Sequence, residues 1–89
     1  MAESYKVNIR VISQRGSCEA GHKVGDEWVI DGENAPAGIC LYALYSLFPF
    51  VPAMSFGAEF PWEADPDVTT VACPDPTNPV VFELRRVLK

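Results

Sequence analysis

The chain has 89 residues, 48% of them hydrophobic and 11% aromatic, and its seven basic and twelve acidic residues give a net charge of −5. That length suits one domain over residues 1–89, burying about 60–65% of its extended surface, and the apolar content excludes a disordered chain. From Gly16 to Leu84 the only basic residue is Lys23, and so acidic a middle repels phosphate backbones, so no nucleic-acid partner is expected.

Lys6, Arg10 and Arg15 near one end and Arg85, Arg86 and Lys89 near the other read as a solvated strand face. Three cysteines with no C-x-x-C fit reduced thiols better than a disulfide framework. Residues 1–5 lack the basic and apolar regions of a signal peptide, so a cytoplasmic location is expected. No charge occurs between Glu33 and Glu59, and about 20 apolar residues can span a bilayer. Pro49, Pro52 and Gly57 interrupt this stretch and both flanks are acidic, so a buried helix and a loop are expected, with no membrane partner.

In chain order, residues 5–11 alternate apolar and polar side chains, the period of a half-buried strand. Residues 16–21 form a loop carrying Cys18. Residues 23–26 are a turn, with Gly21 and Gly25 expected at positive φ, and residues 27–31 a second short strand. Pro36 and Gly38 precede a helix predicted over 39–48, which Pro49 and Pro52 should end. Cys40, Ala43, Leu44 and Leu47 share one face of it, and Leu41, Tyr45 and Phe48 form a second apolar stripe. A helix apolar nearly all round is expected to be buried on more than one side, against a sheet and against another subunit.

Residues 53–67 are read as irregular, residues 68–73 as a β-branched strand, 74–79 as a turn and 80–87 as a last strand paired in a hairpin. The order β-β-α-β-β predicts an α+β fold, a mainly antiparallel sheet of about four strands with one central buried helix.

Four soft or borderline ligands stand out: Cys18, His22, Cys40 and Cys73. That is the number a tetrahedral metal site needs. Cys18 and His22 are four residues apart on a glycine-containing loop, Cys40 falls in the expected first helical turn, and Cys73 ends a strand beside Pro74. All lie in loops or at element ends, whereas cysteines that merely fill a core belong mid-element. Merely buried, unrelated cysteines remain the competing reading. A Cys18–His22 nucleophilic pair lacks an identifiable orienting group or oxyanion hole, so the chain is not expected to be an enzyme.

Glu59, Glu63, Asp65 and Asp67 lack the spacing of a calcium loop and read as solvated turn charges. Trp28, Phe56, Phe60 and Trp62 are expected to pack in the core rather than line a pocket. The segment Lys23-Val24-Gly25-Asp26 matches no phosphate loop.

Taken together, Cys18-Glu19-Ala20-Gly21-His22-Lys23-Val24-Gly25-Asp26, Pro36-Ala37-Gly38-Ile39-Cys40, Phe56-Gly57-Ala58-Glu59-Phe60-Pro61-Trp62, Val71-Ala72-Cys73-Pro74-Asp75-Pro76 and Val80-Val81-Phe82-Glu83-Leu84-Arg85-Arg86 resemble the motif blocks of a family of small, largely uncharacterised bacterial and archaeal proteins. The resemblance covers nearly the whole chain in order. It implies no activity, but it places the four soft ligands inside the motif blocks.

The leading expectation is a small metal-binding protein holding zinc or iron through Cys18, His22, Cys40 and Cys73. One alternative is a thiol-based redox or reactive-cysteine protein with Cys40 activated at the helix start. Another is a non-catalytic interaction module that self-associates through its apolar helix, and a homo-oligomer is expected. No small-molecule ligand is indicated.

Overall fold

The computed structural model describes residues 4–87, so the expectations resting on residues 1–3 and on Lys89 lie outside the described residues. The elements run β1 (Lys6–Gln14), β2 (Glu27–Ile30), α1 (Leu41–Leu47), α2 (Phe50–Ser55), β3 (Val68–Ala72) and β4 (Val80–Val87). The strands form one antiparallel sheet in the order β2-β1-β4-β3. The expected α+β class, four-stranded antiparallel sheet and closing hairpin are all present.

Alternation along the strands decides which side is covered. Val7, Ile9 and Val11 of β1 point to the same side as Val80, Phe82 and Leu84 of β4 and Thr69 and Val71 of β3, and all are buried. Lys6 and Arg10 of β1, Thr70 and Ala72 of β3, and Arg85 and Val87 of β4 face the other way and are exposed. An antiparallel sheet tolerates such a solvated face. β1 runs past the expected end at residue 11 through a bulge between Val11 and Ser13. Ile12 is the residue left unpaired there, and it is exposed although it follows the buried Val11.

Two short helices cover the inner face where one helix was expected. α1 packs on β3, and α2 packs on β1 and β4. Ala43, Leu47, Val51 and Met54 join the sheet residues in one core. Pro49 ends α1 as expected but also caps α2, and Pro52 sits in the first turn of α2. A proline's missing N–H has no cost there, because first-turn N–H groups have no partner within the helix. Part of the segment expected to be irregular is therefore helical.

The central, all-round burial expected of the helix is also corrected. Within α1 only Ala43 and Leu47 are buried, and Leu41, Tyr42 and Tyr45 are exposed. With two helices sharing a four-stranded sheet, each offers one side to the core, and the second apolar stripe of α1 faces outward.

Candidate functional site

Of the four expected ligands, Cys18 and His22 lie in the loop between β1 and β2, Cys40 directly precedes α1 and Cys73 directly follows β3. β1 ends opposite the start of β4, Gln14 beside Val80, and β3 ends opposite Val81, so the loop of Cys18 and the residue Cys73 meet at one end of the sheet. Two contacts tie these loops together: Arg15 donates its N–H to the Pro79 carbonyl at 3.0 Å, and Ser17 donates to Asn78 Oδ1 at 2.9 Å. Gly16 has φ +66°, and Asn78 lies so close that a Cβ at this position would collide with its side-chain oxygen. Asn78 is itself held by Asp75, whose Oδ1 accepts the N–H groups of Thr77 and Asn78 at 3.0 and 3.1 Å. Those bonds, Asn78 foremost and then Thr77, hold the Asp75 carboxyl below its ordinary pKa.

His22 is buried, 6% exposed, with Trp28 and Phe82 at edge-on ring distances of 4.9 and 6.2 Å. Its Nε2 accepts the backbone N–H of Cys40 at 3.0 Å. Accepting at Nε2 puts the ring proton on Nδ1 in the neutral imidazole. Cys40 is the N-cap of α1 rather than part of its first turn, and no side chain caps the helix from that position. His22, eighteen residues earlier, thus fixes the entry to α1.

Cys18, Cys40 and Cys73 are free thiols, each half-buried against the core. Cys73 Sγ accepts the Val80 N–H at 3.2 Å, a contact internal to the β3–β4 hairpin. His22 and Cys40 are brought into direct contact. Among the described residues, no group of three or more His, Cys, Asp or Glu side chains is gathered so as to hold a metal ion. The expected turn glycines Gly21 and Gly25 have φ of +79° and +99°.

A second region is unlike the interior of a small domain. Leu41, Tyr42 and Tyr45 of α1, with Phe48 after it and Phe56 after α2, are all exposed, Tyr45 to 81%. Beside them runs a groove of about 620 Å³ whose walls include Ile30, Leu44, Phe48, Val51, Pro52 and Phe56. A shallower hollow lies between Leu41, Leu44, Tyr45 and Pro49. Single exposed apolar residues are ordinary, but contiguous ones on an uncharged surface mark a contact site. Of the aromatics expected in the core, Trp28 and Phe60 pack against it, whereas Trp62 stacks on Phe60 at 5.0 Å and stays exposed, like Phe56.

Arg86 corrects the expectation of a solvated basic face. It lies on the inner side of β4 at 5% exposure, and its NH1 donates to the carbonyls of Met54 and Ala58 at 3.0 and 2.9 Å. Its NH2 donates to the Pro66 carbonyl at 2.8 Å, and Nε and NH2 both reach Asp67 Oδ1 at 3.2 Å. The guanidinium also lies over the Tyr5 ring at 5.4 Å. One residue thus satisfies the end of α2 and the segment leading into β3. The signal for this was the strand period, since Phe82, Leu84 and Arg86 share one face.

Three of the four acidic residues read as solvated turn charges have partners, and Glu59 is exposed as expected. Glu63 accepts the Thr69 hydroxyl at 2.8 Å, Asp65 pairs with Arg85 at 3.5 Å, and Asp67 pairs with Arg86. Among the described residues no helix is long and apolar enough to cross a membrane. No protein-family model matches the chain, and neither the curated proteins nor the solved structures contain a match to it.

Proposed function

We propose that the protein is an interaction module that self-associates through the outer face of α1. The observation that carries this reading is the run of exposed apolar side chains Leu41, Tyr42, Tyr45, Phe48 and Phe56. The uncharged stretch between Glu33 and Glu59 supplies all five. A second copy is the fitting occupant because none of these five side chains is charged, so two acidic chains can bring them together without opposing like charges at the five. Large apolar and tyrosine side chains with few charges are the composition of an interface core.

Sedimentation velocity over a range of concentrations tests the reading. The wild-type chain should shift to a dimer or larger species as concentration rises, and Tyr45→Lys should stay monomeric while keeping its fold. A wild-type chain that is monomeric at every concentration overturns it.

The zinc or iron reading keeps two supporting observations: the loop of Cys18 and the end of β3 beside Cys73 lie at one end of the sheet, and His22 touches Cys40. A metal at Nε2 of His22 would displace the Cys40 N–H. Protein purified anaerobically and without a histidine tag should hold about one metal ion per chain on this reading. A metal-free chain whose melting is unchanged by Cys→Ser at all three positions removes it.

A further inference from the structure

β2 and β3 are the two edges of the sheet, and they are protected unequally. β2 has only four residues, opens with Glu27 and is followed by Asp31, which pairs with Lys6 at 3.8 Å. Short length and charge are common protections of a sheet edge. β3 is Val-Thr-Thr-Val-Ala, with no charge, proline or bulge inside the strand and Asp67 and Pro74 only at its flanks.

The phase of the β3–β4 ladder shows which backbone groups of β3 face outward. Cys73 N–H donates to the Val80 carbonyl at 2.9 Å, and Arg86 N–H donates to the Asp67 carbonyl at 2.8 Å. Hydrogen-bonded pairs alternate along an antiparallel ladder. Residues 67, 69, 71 and 73 therefore bond inward to β4, while Val68, Thr70 and Ala72 present their N–H and C=O groups to the free edge. The Val68 N–H is taken by the Asp65 carbonyl at 3.3 Å. Among the described residues, no other backbone hydrogen bond engages the outward groups of these three.

We infer that β3 is a dimer seam: it pairs antiparallel with β3 of a second copy about a two-fold axis at Thr70, joining two four-stranded sheets into one of eight strands. The inference rests on the self-association proposed above and names its geometry. With Thr70 opposite Thr70, each donates its N–H to the carbonyl of the other. Ala72 then lies opposite Val68 of the second copy and donates to its carbonyl, the group that the local Asp65 bond leaves open. The Thr70 and Ala72 N–H groups, which have no acceptor among the described residues, are both satisfied in this register.

The central cross-strand pair is threonine with threonine, a favourable pairing, and no charge faces its like within the strand. Pro66 and Pro74 end the pairing on both sides. A five-residue seam is small for a stable dimer, which needs about 800 Å² from each partner. The α1 helix supplies the continuation. It packs on β3, so the two-fold places the α1 helices of both copies in the same layer on either side of the seam.

The test separates the seam from the helix face. Thr70→Pro removes an N–H that the β3–β4 ladder does not use, at an edge position where proline is tolerated. Two lost intermolecular bonds should raise the dimer dissociation constant by about tenfold or more. Thr70→Lys, which sets two ammonium groups face to face, should do the same.

Hydrogen exchange on the unmodified chain gives a second reading that needs no variant: the amides of Thr70 and Ala72 should gain protection as concentration rises. A wild-type dimer in which both substitutions leave association unchanged and these amides exchange freely overturns the seam alone. A wild-type chain that never associates overturns the self-association reading and the seam with it.

Discussion

Around α2 the polar groups are turned inward and closed on Arg86, whereas around α1 the apolar groups are turned outward and left open. Both helices rest on the same face of the same sheet and share one core. α2 is secured by a guanidinium that bonds three backbone carbonyls and a carboxylate. α1 has one bond at its entry, from the Cys40 N–H to His22, and an apolar stripe with nothing over it among the described residues. The contrast separates the part of the helical layer whose polar groups are closed within the chain from the part whose apolar side chains stay exposed.

Removing the closure around α2 should have the largest effect. Arg86→Met keeps apolar bulk but leaves the Met54, Ala58 and Pro66 carbonyls without their donor and Asp67 without its cation. The loss should be about 3 kcal/mol in urea unfolding, because a buried group stripped of its partner costs more than the bond contributed. A variant as stable as wild type would show that water replaces the guanidinium at no cost.

At the entry of α1 the expected effect is smaller. His22→Phe preserves ring packing on Trp28 and Phe82 but gives the Cys40 N–H no acceptor. A loss of about 1–2 kcal/mol in thermal unfolding is expected, with faster alkylation of Cys40 as the helix start loosens. On the outer face of α1, Tyr45→Lys should change the stability of the monomer by less than about 0.5 kcal/mol, as exposed substitutions do. Its effect should appear in association instead, and an unfolded variant would mean that Tyr45 belongs to the core.

The smallest expected effect lies far from both helices, in the β3–β4 turn. The folded Asp75 carboxyl titrates below its ordinary value of 3.8, so its contribution to stability is complete above that pH and is lost as pH falls through the lowered folded value. Asp75→Asn should therefore flatten the acid limb of the stability–pH curve below about pH 4 without altering its shape at neutral pH. An unchanged acid limb would show that titration of the Asp75 carboxyl does not shape it.

Much of the sheet was legible in the sequence because side-chain alternation is a local signal. The strand over 80–87 and its hairpin partner follow directly from it. The bulge after Val11 was not legible, since an extra residue looks like the end of alternation. The second helix was hidden because Pro49 and Pro52 read as breakers, and only position within the first turn makes them acceptable.

Arg86 was legible in principle, being in phase with Phe82 and Leu84, but a charged side chain defaults to solvent until its partners are known. For the four soft ligands, sequence placed each in a loop or at an element end, and it could not reveal that His22 Nε2 is engaged by a backbone N–H. The outward stripe of α1 was visible as apolar spacing, yet which of its two faces met the sheet depended on how much sheet a second helix had already covered.

The sheet order has a consequence for how the chain acquires its structure. The central pair, β1 with β4, joins Lys6 to Val87 and Gln14 to Val80, so most of the chain lies between the two strands that anchor the core. Contacts this distant in sequence are slow to form, because the intervening loop must close before any of them stabilises it. A nascent chain that has released β1 and β2 but not β4 carries Val7, Ile9 and Val11 with no strand on their other side. During synthesis that edge of β1 stays unpaired until β4 has been made.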